Sequence, residues 1–151
     1  MTIVIFGTLL NENLQAQEIS SFNQDFENYH HKIQVLNSQN NIIAEFKTAI
    51  ADTKQKQQYG LMNLKKLPQD HAMIFIFKQE KIVNMWMKNT LIDLDMIFID
   101  KNNQITKIKN RAKQKSLAII SSQIKVDKVL EINAGLAKKL AIKIGDKLII
   151  K

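Results

Sequence analysis

The sequence predicts an α+β domain: a mainly antiparallel sheet of about seven or eight strands, curled into a barrel-like or sandwich form, with two short helices. Three observations lead there. Short apolar runs recur between clusters of Asn, Gly, Asp and Lys, which is the spacing of strands and turns. Only two stretches carry helix-start residues ahead of segments free of β-branched interruption. No stretch supplies the repeated long helices that right-handed crossovers between parallel strands need, so a doubly wound fold is disfavoured.

The elements follow in order. Residues 32–36 have strand character, NSQNN supplies five turn-forming residues, and residues 42–51 form a second apolar run, which together predict a hairpin. Asp52 or Thr53 is placed to accept the first free N–H groups of a helix in TKQKQQYGLMNL, and Gly60 ends that helix or lets it pack closely. Pro68 closes the connection, and residues 72–77 (AMIFIF) read as a strand buried on both faces. KQEK is the expected next turn, residues 83–87 a strand and residues 94–99 another. DKNN turns into the strand QITKIK, whose imperfect alternation points to a bulge. Residues 109–128 lack a sustained period and read as a loop crossing the sheet. Residues 129–132 (VLEI) are a strand, Asn133 is the expected cap of a helix in AGLAKKLA, and Gly145-Asp146 turns into the last strand.

Composition bounds the function classes. The chain has 151 residues, 45% of them hydrophobic, with one proline and four glycines, enough for one domain with a real core, placed at residues 32–151. With no cysteine, disulfides, thiolate metal sites and cysteine nucleophiles are excluded. The net charge of +8 is concentrated in residues 101–151, where thirteen basic residues face three acids. Only Arg111 among the 22 basic residues is an arginine, which argues against nucleic-acid readout and for a dispersed, solvated basic face. Residues 3–10 (IVIFGTLL) are too short to span a bilayer but match the apolar centre of a secretory signal. Residues 1–16 are therefore expected to be a signal-peptide remnant and residues 17–31 a polar leader, placing the protein in the periplasm or cell envelope. The alternative is a buried first strand in a cytoplasmic protein. His30 and His31 are adjacent, cannot both face one metal from a strand, and read as solvated.

Searching for chemistry yields mainly absences. There is no GxGxxG, no phosphate loop, no HExxH and no GxSxG, and three histidines split as two plus one do not make a metal site. His71, ahead of a buried strand, reads as a capping or edge residue. Asp93 and Asp95 share a face if their segment is a strand, which would suit a hard cation or acid-base work, although carboxylates that accept backbone N–H groups at a turn have the same spacing. Asp146 reads as a turn residue, and Glu131 faces away from Leu130 and Ile132, toward solvent or a shared polar cluster. The stretch NMWMKNTLIDLD holds the only tryptophan. A strand there puts Trp86 beside Lys88, an aromatic next to a cation that would serve as a ligand platform, or else Trp86 fills the core while Lys88 reaches past it to water.

WMKNT followed by LIDLDMIFID, with GLM at residues 60–62, AMIFIF before it, and VLEINAG and IGD after it, resembles the bacterial and archaeal family called domain of unknown function 192. The resemblance covers about residues 32–150. Departures are Asn63, Leu64 and Lys65 where an arginine is expected, Ala72 for glycine, Met85 for phenylalanine and Asp93 for proline. The last weakens a catalytic role for Asp93. The resemblance implies a small β-rich domain, often behind a signal peptide, with no agreed activity. It also groups Lys88, Asn89, Asp95, Glu131 and Asn133 as residues that would converge if the strands bearing WMKNT and LEIN lie side by side.

The resulting expectation is a non-catalytic binding module of the bacterial cell envelope, without cofactor or metal, that holds a small ligand, a glycan or a peptide. Its candidate contacts are Trp86, Lys88, Asn89, Thr90, Asp95, Glu131 and Asn133. Two alternatives stand beside it: a small hydrolase or lyase with Asp95 or Glu131 as acid or base and Lys88 stabilising an anion, and an architectural polar motif with a protein-partner surface elsewhere. The oligomeric state is not specified by any of these features.

Overall fold

The computed structural model describes residues 30–151. The expected signal segment and nearly all of the polar leader lie outside the described residues. His30 and His31 are exposed, as their sequence context implies.

Among the described residues seven strands form one sheet: β1 (His31–Leu36), β2 (Ile42–Ala51), β3 (His71–Met85), β4 (Leu94–Ile99), β5 (Ile105–Ala112), β6 (Ile120–Asn133) and β7 (Lys147–Ile150), in the order β5-β4-β6-β3-β2-β1-β7. Every pairing is antiparallel except β2 with β3, so the mainly antiparallel α+β reading stands with one parallel pair added. The connection across that pair carries α1 (Lys54–Tyr59). Thr53 caps it by accepting the Lys56 N–H, and Gly60, at φ 51°, ends it. The sheet curls until its edges touch. Ile105 N–H donates to Asp146 O at 2.8 Å, Leu148 N–H to Asn103 O at 2.8 Å and Gly145 N–H to Ile105 O at 2.8 Å, joining β7 to the start of β5.

Curling gives the central strands two buried faces. Ala72, Ile74, Ile97, Ile99, Leu130 and Ile132 point inward against β1, β7 and α2 (Leu136–Lys139). The alternate residues Met73, Phe75, Met96, Phe98 and Val129 point outward. There the 60–68 connection covers them with Leu61 and Leu67, and the turn after β3 adds Met87. Continuous apolar runs such as AMIFIF follow from this double burial.

Three expectations of local structure are corrected. KQEK is not a turn, because β3 runs through it with a register shift between Ile76 and Lys81. Residues 109–128 are not a crossing loop: β5 extends to Ala112 and β6 begins at Ile120, so VLEI is the end of a strand of 14 residues. The outer halves of β3 and β6 pair with each other as a partly exposed ribbon, which is why their sequences lack a core period. Ser122 spans the second irregularity by accepting the Val83 N–H and donating to Ile124 O, while Gln123 takes φ 67°. Finally, β3 stops at Met85, so the expected strand over residues 83–87 ends early and WMKNT is a turn.

Candidate functional site

The WMKNT turn is set by its asparagine. Asn89 has φ 56°, a left-handed conformation that asparagine adopts more readily than most residues. Thr90 N–H donates back to Met87 O, closing the turn, and the fully buried Met87 anchors it. Neighbouring segments then fasten to its backbone. Asn63 N–H donates to Asn89 O at 2.9 Å, Met62 pairs with Thr90, Lys115 N–H donates to Thr90 O, and Met87 N–H donates to Ser116 O. The result is a rigid platform. Trp86 is 43% exposed with the Lys88 ammonium 5.1 Å from its ring centroid. In the 113–119 segment that Ser116 fastens to this turn, Leu117 and Ile119 are also exposed.

Asp95 takes a different part. Its side chain is fully buried, and its two carboxylate oxygens accept three backbone N–H groups: Arg111 at 2.8 Å on one, Gly135 and Ala137 at 2.9 Å each on the other. It therefore caps α2 from 40 residues upstream and ties the end of β5 to that helix. Asn133, the expected cap, does something else. Its amide donates to Leu67 O at 2.9 Å and Pro68 O at 3.1 Å, pinning the 60–68 connection to the end of β6. The N-cap position is Gly135, at φ 88°, which has no side chain of its own to cap the helix. Asp93 accepts Gln114 N–H and the Lys113 ammonium, both at 2.9 Å, and these two hold its carboxyl below the usual carboxylate range.

Glu131 is the residue without such employment. Its cross-strand partners are Met73 on β3 and Met96 on β4, so it projects into the outward-facing core layer and is 4% exposed. No hydrogen bond or ion pair from the described residues reaches its carboxyl, and burial alone pushes its pKa up to about 8.

Of the expected set, the fold brings Trp86, Lys88, Asn89 and Thr90 together and ties Asn133 to the same end of the sheet through the 60–68 connection. It separates the two carboxylates. Asp95 pairs with Ile132 and Glu131 with Met96, so they occupy adjacent rungs on opposite faces. Among the described residues no cluster of His, Asp and Glu is arranged to hold a metal. Sequence reasoning missed Arg111, Lys138, Lys139 and Lys143, which gather around one concavity between β5 and α2. Only the singularity of Arg111 marked that place in the sequence.

The class of protein is thus a curled one-sheet β domain whose polar motif residues largely fasten loops to strand ends. The chain belongs to the family called domain of unknown function 192, described as an uncharacterized ACR, whose family model matches residues 34–150. Among solved structures it is similar to a putative transcription regulator from Sinorhizobium meliloti 1021, at 34% identity and a TM-score of 0.77, over 80% of this chain and 94% of that one. It is also similar to a protein of unknown function from Novosphingobium aromaticivorans, at 31% identity and a TM-score of 0.74, over 78% of this chain and 83% of that one. No protein with a curated description matches it.

Proposed function

We propose that the protein is a non-catalytic binding module of the cell envelope whose ligand, a glycan or peptide, rests on the Trp86–Lys88 platform. The observation that carries this reading is the exposed indole with a cation over its ring, on a turn fastened by backbone bonds from two other segments. An aromatic face held rigid in this way stacks on a sugar ring or apolar side chain with little further loss of freedom. Lys88 adds a polar contact at its margin. Placement in the envelope rests on the apolar run IVIFGTLL and is part of the same proposal.

The hydrolase or lyase alternative has weaker support. Asp95 is saturated by three backbone donors, and Glu131 lies on the opposite face of the sheet, so neither has a partner carboxylate for paired acid-base work. The relative described as a putative transcription regulator raises DNA binding, but the helices among the described residues have six and four residues, too short for a recognition helix in a major groove.

Calorimetric titration with soluble muropeptides, which carry both glycan and peptide, tests the reading. Saturable binding that Trp86→Ala abolishes at unchanged thermal stability is the expected result. Absence of binding, or binding indifferent to Trp86→Ala, rejects it.

A further inference from the structure

The concavity between the end of β5 and α2 measures about 700 Å³, within the usual range of small-molecule sites. Arg111 reaches it from β5, Lys138 and Lys139 from α2, and Lys143 from the turn that follows. Among the described residues, none that lines it is acidic. No ion pair among the described residues engages any of these four cations. Asp93, whose carboxyl feels the charge of Arg111, is already bound by Lys113 and Gln114 N–H. Four like charges held around one hollow repel each other, and an anion bound among them would relieve that repulsion.

The hollow is also built. A Cβ placed on Gly135 would lie 2.9 Å from Arg111 Nη2 and 3.4 Å from its Cζ, so the guanidinium lies close against this glycine, whose φ of 88° other residues rarely adopt. Arg111 itself holds φ 50°, and Ala141, also on the lining, holds φ 56°. Left-handed backbone at non-glycine residues is strained and persists only where the surroundings impose it. The buried carboxylate of Asp95 imposes it at Arg111 by holding that N–H, and the bonds from Ala141 N–H to Lys138 O and from Ile142 N–H to Ala137 O impose it at Ala141. Ile108 and Ile142 give the hollow an apolar side.

We infer that this concavity is a binding site for a small soluble ligand carrying two or more phosphate groups. Arg111 supplies the planar fork that takes two phosphate oxygens at once, and the three lysines supply point charges for a second group. Ile108 and Ile142 face whatever apolar part the ligand carries. Asp95 is a positioning residue here: it touches no ligand and fixes the backbone that aims Arg111. The site is independent of the Trp86 platform.

Titration calorimetry of the full chain with sodium pyrophosphate, at about 50 mM and about 300 mM salt, tests the inference. The expected result is one-to-one saturable binding that Arg111→Gln weakens at least about tenfold, Lys138→Gln with Lys139→Gln by a similar factor, and Arg111→Lys by less. The control Lys54→Gln with Lys125→Gln, which removes two charges on α1 and the outer half of β6, should leave affinity unchanged. Thermal unfolding in parallel establishes that each variant is folded. Absence of saturable heat, equal weakening by the control, or citrate binding as tightly as pyrophosphate overturns it. Cosedimentation with phosphatidic acid vesicles that Arg111→Gln abolishes would assign the site to a lipid headgroup and overturn the soluble ligand.

Discussion

Glu131→Gln tests the physics of the core layer directly. In the unfolded chain the carboxyl titrates near 4.5; in the folded protein burial pushes it up to about 8. Because the folded-state pKa of an acid is raised, ionisation favours the unfolded chain. Stability is therefore unaffected by this group below about pH 4.5, falls as pH rises through the window to about 8, and is level above it. At about 1.4 kcal/mol per pH unit, the loss accumulated by pH 7 is roughly 3 kcal/mol, and above pH 8 roughly 5 kcal/mol. Glutamine keeps the shape and cannot ionise. Its buried amide costs about 1–3 kcal/mol if it too lacks partners, but that offset does not vary with pH. Urea unfolding of both proteins at pH 5, 7 and 8.5, with equal slopes against denaturant, should show the variant gaining on the wild type by about 2.5 kcal/mol between the first two. Parallel stability curves across that range would refute the assignment of an unpartnered, buried carboxyl.

The motif residues give three further expectations. Asp95→Asn turns one of the two acceptor oxygens into a donor facing an N–H, and should cost about 2–4 kcal/mol in urea unfolding; a loss below about 0.5 kcal/mol would mean that the three backbone bonds are not holding α2. Gly135→Ala brings a Cβ against the Arg111 guanidinium at φ 88° and should cost about 1–3 kcal/mol, read as a lower thermal midpoint. Asn133→Ala frees the Leu67 and Pro68 carbonyls and should cost about 1–2 kcal/mol, with hydrogen exchange accelerating in residues 61–67 before the rest of the sheet opens.

What the sequence disclosed depends on the range of the interaction responsible. The first hairpin, the Thr53 cap, the end of α1 at Gly60 and the Gly145-Asp146 turn were all legible, because each is decided within a few residues. Strand ends were misplaced where pairing overrides local composition. KQEK lies within a strand although only its Lys81 has a partner on β6, Val126; the residues before it form the irregularity between Ile76 and Lys81, where polar side chains reach water. WMKNT carries one local signal of its turn, the asparagine: Asn40, Asn63, Asn89 and Asn103 all hold positive φ, and only the first and last sit in obvious turn clusters. The polar site was the least legible part. Two aspartates with the spacing Asp93-x-Asp95 serve separate loops, and the cap of α2 comes from Asp95 rather than from the adjacent Asn133, a choice fixed only by tertiary approach. Alternation does turn Glu131 away from Leu130 and Ile132, but it faces neither solvent nor a polar cluster: it is buried between Met73 and Met96, in a layer covered by a connection more than 60 residues upstream.

The seam between β7 and the start of β5 bears on how the chain is made. Ile33 pairs with Ile150, so the sheet is completed by residues from opposite ends of the domain. A nascent chain emerging from the ribosome has no neighbour for the outer side of β1 until β7 is released, and the approach to β5 stays open for the same interval. During that time β1 offers a row of free N–H and C=O groups to any strand it meets. Such long-range closure belongs to the slow end of folding rates. Deleting Lys147–Ile150 would make the interval permanent, and the expected product is an associating sheet rather than a smaller soluble one.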